Sequence, residues 1–529
     1  MCDFSRIRLA CPALPPCPLV FTTPGAPFLQ SLILVREVHP DKAIIGMSTD
    51  ASQEKKGSRE SIEVAQVVSD DAYPSGGSGP YRLYKQRWLG CFALFLLEVV
   101  AILVRARKSS AHRFAWLVVR DFGFTLDEIN WLGNVIACMY LPSAFFIPMI
   151  CSRWGIRRCC EIGCIMMIIS AWIRYAGTPR SLPVHGAYAL IILGQMFVGT
   201  AQPIFQVLAP RYSEVWFDLK GRTTATMLIS IANPIGGAIG QLVSPIFNDT
   251  RKSILVLGIV TTAVTPIVFL VAEAPPTPPT YSGSQKSPSI ISLLKAWAGR
   301  DCPPEAFMTR RERFDFTILV YVFSVLLAAI NTFSILSSQW LSPVGYSDST
   351  NGFIGATLLL SGIVAALATA PIFDRVFTRH LGLTVRILCP IIGASWLSLI
   401  WAVRPGDAGG LFGIMAVIGA SSISLLPVAL ELGCELTRNA DGSSAVMWFF
   451  GNLFCIIYLT SQGALRAPST ANPPLNMHRA IIFNGAWVFA SCGLIFFFNG
   501  KQARRERDEK MNQVNELPLA TSPTTDSQA

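Results

Sequence analysis

The chain has 529 residues, 51% of them hydrophobic and 14% charged, where a soluble globular domain carries about 25% charged residues. That balance excludes an ordinary water-soluble fold and makes lipid the solvent for most of the surface. The formal net charge of +10 does not indicate a nucleic-acid-binding protein, because the Lys and Arg residues flank apolar stretches instead of lining one amphipathic face.

Residues 1–86 hold Pro, Ser, Gly and charge clusters without sustained periodicity and are expected to form a disordered cytosolic tail. The stretch 29–35 is too short to span a bilayer, and 11–28 is too Pro-rich for a signal sequence. Met47 opens a hydrophilic segment that reads as an ordinary cytosolic tail, which makes it a candidate start of translation beside Met1. A first apolar span, 88–104, is followed by Arg105, Arg107, Lys108, His112 and Arg113, then by an apolar scrap, 114–119, and Arg120. Three accounts fit this segment: a basic external loop, a short span with snorkelling ends, or a foreign insertion from a mis-assigned exon boundary. The last is favoured, since the apolar pieces on either side read as one interrupted helix.

Further spans are predicted at 129–150, 159–176, 187–209, 223–247, 253–272, 317–340, 351–373, 383–402, 409–433, 442–464 and 479–499, giving about twelve helices of bilayer length. Counted from a cytosolic N-terminus, the cytosolic connections carry Arg153, Arg157 and Arg158, then Arg211, Lys220 and Arg222, then Arg375, Arg379 and Arg386, as the positive-inside rule requires. The acceptor sequon Asn248-Asp249-Thr250 falls in a predicted extracytosolic turn, making Asn248 the candidate glycosylation site. The expected organisation is an N-terminal six-helix bundle over 87–272, a cytosolic Pro-rich loop over 273–316, a second bundle over 317–500, and a disordered cytosolic tail over 501–529. Within the loop, Pro275-Pro276-Thr277-Pro278-Pro279 predicts an extended tether, and Ile290–Trp297 predicts an amphipathic helix lying on the cytosolic leaflet.

The halves echo one another. Glu214 precedes Thr223-Thr224-Ala225-Thr226-Met227 and Asn233, and Glu435 precedes Ser443-Ser444-Ala445-Val446-Met447 and Asn452, about half the membrane region further on. Cys151-Ser152-Arg153-Trp154-Gly155 likewise parallels Phe373-Asp374-Arg375. Parallel six-span repeats are the mark of major facilitator transporters, whose substrate site lies between the halves near mid-membrane.

Several segments resemble solute carrier family 49, the transporters related to the feline leukaemia virus subgroup C receptor. They are Tyr81 to Trp88, Ile129-Asn130-Trp131-Leu132, Ala171-Trp172-Ile173-Arg174-Tyr175, Gly194-Gln195 through Ala201-Gln202, Val215-Trp216-Phe217, Gly345-Tyr346-Ser347-Asp348, and Pro427 with Glu431 to Glu435. The resemblance covers roughly 81–500. It implies an all-α polytopic protein with the major facilitator fold, moving a small organic solute. Choline and ethanolamine are substrates of the best-known members, haem has been proposed, and another branch moves pyridoxine with protons.

Candidate substrate-binding residues follow. Gln202 and Gln206 lie four apart on one face of the fourth span, and buried amides in lipid turn toward the bundle interior, either as packing glue or as ligand contacts. By resemblance Gln202 matches a cavity glutamine, and Asn452 offers another amide from the eleventh span. Asn331 stands where choline-transporting members have an aromatic residue, which places choline specificity in doubt, since aromatic faces recognise quaternary ammonium best. Asn233, and Trp116 as the nearest first-span tryptophan, complete the set. Pro203, Pro234 and Pro245 are flex points or static packing features.

For gating, Arg153 and Arg157 with Asp374 and Arg375 form the basic loops, Ser152 standing where the facilitator pattern has aspartate. Glu214, Glu431 and Glu435 are their expected partners in an outward-open state, solvated topology charges being the alternative. Glu98 and Glu431 are candidates for coupling to a proton. Fourteen cysteines, among them Cys138, Cys164, Cys389, Cys455 and Cys492 inside spans, form no CxxC pair and read as small apolar residues. No catalytic cluster, metal site, cofactor motif or nucleotide loop is predicted, so the chain is not expected to be an enzyme or an ATP-driven pump. The partners expected are a small-molecule substrate, the lipid bilayer and a proton as candidate coupling ion, with a monomeric state and residence in the plasma membrane or a vacuolar/lysosomal-type membrane. The alternative function is a transporter-like receptor or nutrient sensor that does not transport.

Overall fold

The computed structural model describes residues 82–105, 122–243, 249–285, 288–375, 380–468, 470–502 and 504–509. Trp116, Asn248 and the Arg107–Arg113 segment lie outside the described residues, as does the whole stretch before 82. Every element is helical among the described residues, and ten helices are long and apolar enough to cross a membrane.

Helix α1 (Gln86–Arg105) is a Leu- and Val-rich run. Its tight seating depends on Gly90, where a Cβ would come within 2.1 Å of the Tyr212 hydroxyl. Helix α2 (Leu126–Ala176) opens on a capping box, Thr125 accepting from the Glu128 amide while the Glu128 carboxylate accepts from Thr125 N. It is long enough for two spans, and Gly155 divides it: φ of 81° and ψ of 175° belong to a region open essentially to glycine alone. The predicted second and third spans are therefore two arms of one kinked element.

Helix α3 (Val184–Trp216) is buried almost all round from Val198 onward, which makes it a central helix. The fifth span is two pieces, α4 (Arg222–Ser230) and α5 (Ala232–Val243). Pro234 lacks the N–H that would bond to Ser230, so the ladder breaks there. Helix α6 (Thr250–Val264) is capped by Asp249 and tightens into a 3₁₀ turn, Thr265–Leu270.

The connector holds α7 (Ile290–Trp297), over the residues predicted for an amphipathic helix. Its apolar face does not lie on a leaflet. Ile290, Leu293 and Ala296 are 3%, 1% and 1% exposed, and Trp297 packs edge-on against Phe316 at 5.2 Å and Phe450 at 6.0 Å while its indole N–H donates to Thr317 Oγ1. Protein, not lipid, covers this face. Helix α8 (Arg310–Leu341) begins well before the predicted 317, because Thr309 and Glu312 form a second capping box. The remaining helices are α9 (Asp348–Arg375), α10 (Leu381–Ala402), α11 (Ala408–Thr437), α12 (Ala440–Ala464) and α13 (His478–Gly493).

We call the helices α1 to α6 and α8 to α13 the two bundles; among the described residues they meet along two seams, α12 against α2 and α3, and α9 with α11 against α4, α9 also reaching α5. Large apolar side chains such as Phe146, Ile165, Phe269, Phe353, Val364, Trp401 and Phe496 point outward, more than half exposed, where lipid solvates them. Within the stretch expected to be a disordered tail, residues 504–509 form a helical turn that reaches α3 and α11. We call the side from which it leaves the tail face.

Candidate functional site

Two polar clusters lie along the seam between the bundles, both built on α3. The first sits at mid-depth. Glu98 of α1 is 1% exposed and accepts from Gln206 Nε2 at 2.8 Å, while Gln206 Oε1 accepts from the Tyr140 hydroxyl of α2 at 2.6 Å. The Tyr140 ring then meets Trp448 of α12, centroid to centroid at 6.4 Å, and Trp448 stands edge-on to Phe323 of α8 at 5.6 Å. A chain of contacts thus runs from α1 across the seam into the second bundle. Gln202, one turn from Gln206, is equally buried.

The other candidate amides are placed as follows. Asn452 lies one turn along from Trp448 and donates to its carbonyl at 2.9 Å. Asn331 of α8 is half-buried, donating to Leu327 O at 3.0 Å and lying 3.6 Å from Cys455 Sγ of α12. Asn233 is half-buried in α5. The sequence does not single out Tyr140 and Trp448, since an aromatic residue inside an apolar span leaves no mark of its own in hydropathy or charge.

The second cluster closes the tail face. The repeat-related Glu214 and Glu435 come from opposite bundles, and both bind Arg504 of the C-terminal tail. Arg504 Nη1 donates to Glu214 Oε1 at 3.0 Å, and its Nε and Nη2 donate to Glu435 Oε1 at 3.1 and 2.9 Å. Nη2 also pairs with Glu431. The second oxygen of Glu435 accepts from Arg505 N at 2.9 Å, and that of Glu214 from Arg211 at 2.7 Å. Arg504 is 3% exposed. Burial by itself would lower an arginine's pKa, but Glu431, Glu435 and Glu214 outweigh it and hold Arg504 above its ordinary value.

One helical turn further along the tail, Asp508 accepts from Arg222 at 3.3 Å and from both the amide and hydroxyl of Ser282, at 3.0 and 2.7 Å. Arg222 also donates to Thr280 and Ser282. A cavity of about 10 Å³ lies among Arg222, Thr223, Glu431, Glu435, Gln502 and Arg505, room for one water at most.

The expected gate arginines lie elsewhere. Arg153 is exposed, and Arg157 pairs within its own helix with Glu161 at 3.0 Å, stacking over Phe269. Asp374 and Arg375 end α9, their side chains outside the described residues. The three carboxylates are brought together, and the cation that gathers them is Arg504. No group of His, Cys, Asp or Glu among the described residues is arranged to hold a metal.

A major facilitator superfamily model matches residues 109–459. Solute carrier family 49 member A3 of Xenopus tropicalis is 25% identical over 84% of this chain and 93% of its own length. The Danio rerio protein of the same name is 23% identical over 80% of this chain and 90% of its own. The choline/ethanolamine transporter FLVCR1 of Felis catus is 22% identical over 75% of this chain and 72% of its own. With most of its length matched by that model, the chain belongs to the major facilitator superfamily and resembles solute carrier family 49 within it.

Proposed function

We propose that this chain carries a small organic solute across its membrane by alternating access, the bundles over 87–272 and 317–500 rocking about the mid-depth cluster. The supporting observation is the sharing of Arg504 by Glu214 and Glu435. Equivalent helix ends of the two halves are drawn together at one face by an ion cluster that must come apart if that face is to open. In this reading Glu214, Glu431 and Glu435 form the gate. Gln202, Gln206 and Asn452, with Tyr140 and Trp448, contact the solute, and Asn233 and Asn331 flank them.

The named activity of the choline/ethanolamine relatives makes small amino alcohols the first solutes to test, with pyridoxine beside them. Tyrosine and tryptophan faces beside buried amides suit a small organic cation. Labelled choline, ethanolamine and pyridoxine are offered to proteoliposomes, and saturable counterflow of at least one is expected, weakened by Gln202→Ala. Counterflow unchanged in that variant rejects the binding assignment. The non-transporting sensor is the second reading, favoured by a lock supplied from the protein's own tail. It predicts saturable binding without counterflow.

A further inference from the structure

Asp508 of the tail is held by three donors at once. Its Oδ2 accepts from Arg222 Nη1 at 3.3 Å and from the Ser282 hydroxyl at 2.7 Å, and its Oδ1 accepts from the Ser282 amide at 3.0 Å. Two of these donors belong to one serine of the connector. The Ser282 hydroxyl stands between a cation and an anion, accepting from Arg222 Nη2 at 2.8 Å while it donates to Asp508. Arg222 and Asp508 are both buried, so neither charge has water as a ready substitute partner.

The cations of the tail are engaged elsewhere. Arg504 binds its three carboxylates, Arg505 pairs with Glu509 at 2.9 Å, and Arg507 donates to the Tyr281 hydroxyl at 3.1 Å with its guanidinium 5.1 Å from that ring's centroid. What the tail presents to Ser282 is therefore its carboxylate. Ser282 itself is half-buried in the turn Tyr281–Ser284, beside the exposed Ser284 and Gln285. By the positive-inside pattern this is the cytosolic face, the side that holds nucleoside triphosphates.

We propose that Ser282 is a phosphorylation site, and that a phosphate on it detaches the end of the tail from the connector. A protein kinase supplies the terminal phosphoryl group of a nucleoside triphosphate. The serine Oγ–P bond forms, the bond from that phosphorus to the bridging oxygen breaks, the hydroxyl proton goes to the kinase's base, and the nucleoside diphosphate leaves. The product carries about −1.5 to −2 charge and has no donor at Oγ. The bond to Asp508 is lost, and like charges meet in its place. Arg222 gains a phosphate acceptor stronger than the one it shares with Ser282. Of the three donors to Asp508, the Ser282 amide alone remains. Arg504 is then left to hold the tail, and the gate of Glu214, Glu431 and Glu435 loses the anchor one turn away. That regulatory consequence rests on the transport reading, whereas the detachment does not.

Hydrogen–deuterium exchange is followed on the full chain in nanodiscs with phosphoserine installed at position 282, at position 289, or at neither. Ser289 is the control: its exposed hydroxyl caps α7 by accepting from Ile291 N at 3.3 Å, and a phosphate at a helix N-terminus is favourable there. With phosphate at 282, exchange in the 500–509 peptide should rise about tenfold or more, equivalent to about 1.4 kcal/mol. The rise should exceed that in Asp508→Asn, whose amide still bonds, and should vanish on phosphatase treatment. With phosphate at 289 exchange should stay native. Native exchange with phosphate at 282, or an equal rise with phosphate at 289, overturns the proposal. Should the chain phosphorylated at 282 fail to fold, native exchange in Ser282→Asp overturns it instead. Peptides spanning 280–285, taken from the chain in its native membranes under phosphatase inhibition, should carry phosphate on Ser282, and their recovery in wholly unmodified form also overturns it. A chain that moves no tested solute leaves the exchange result standing, so the two readings fail separately.

Discussion

Replacing Arg504 by alanine is the most direct perturbation of the tail-face cluster. The guanidinium is 3% exposed and binds three carboxylates, from α3 and α11. Its removal leaves Arg211 to neutralise Glu214 while Glu431 and Glu435 face each other within one turn of α11. Breaking a buried pair by deleting one partner costs about 3–5 kcal/mol, because the remaining charge stays buried and uncompensated. In the opened state water reaches the carboxylates and most of that cost disappears. The difference therefore falls on the closed state, and at about 1.4 kcal/mol per factor of ten the equilibrium should move toward opening by roughly two to three orders of magnitude. Hydrogen–deuterium exchange read by mass spectrometry checks this without cysteine labelling, which the fourteen native thiols complicate. Peptides covering 208–222, 430–443 and 500–509 should lose protection together in Arg504→Ala. Arg504→Lys, which keeps the charge but not the planar fork, should fall between the native and alanine chains. If protection in 208–222 and 430–443 stays native while only the tail loosens, the arginine does not join the bundles and the reasoning is refuted.

Two further outcomes follow from local geometry. Asp508→Asn weakens the tail's hold on Arg222 but leaves Thr280 and Ser282 bonded to that arginine, so exchange should rise in the tail peptide with 430–443 still protected. Equal loss at both places counts against two separable anchors. Gly155→Ala forces a side chain into a backbone conformation that costs about 1–3 kcal/mol, with its Cβ only 1.4 Å from where Glu273 Oε1 stands. Its melting temperature should drop, and Glu273→Ala in the same chain should restore only part of the loss. Native melting of Gly155→Ala would show that the kink does not depend on glycine.

Span positions and the twofold repeat are legible in the sequence because both rest on hydropathy and spacing, which lipid enforces residue by residue. The pairing of Glu214 with Glu435 as equivalent helix ends is legible for the same reason. Arg504 is not: within Lys501 to Lys510 it is one cation among many, and its burial is decided by Glu214, which lies 290 residues away in the chain. Burial of an arginine is set by partners that no local window contains. The early start of α8 is a different case, since Thr309-Arg310-Arg311-Glu312 carries a capping-box pattern that its charge density disguised as loop. The covered face of α7 shows why amphipathicity does not identify the apolar partner: a leaflet and a helix pair select the same pattern of Ile290, Leu293 and Ala296.

The two clusters are mechanically linked through one helix. Gln206 and Glu214 lie two turns apart on α3, about 12 Å along its axis, so α3 carries the mid-depth contact and the tail-face lock as one body. Rotation of the bundles about a mid-depth pivot separates the ends of α3 and α11 far more than it separates Tyr140 from Trp448. In the proposed transport cycle the ion cluster would be the contact that distinguishes the two states, and the aromatic contact the one that persists through both. A solute at mid-depth would shift the equilibrium only by the difference between its affinities for the two states, and that difference has to be set against the stability of the ion cluster. Weakening the lock should therefore lower what the mid-depth ligand must supply: in Arg504→Ala, a solute that opens the tail face should act at lower concentration than it does on the native chain.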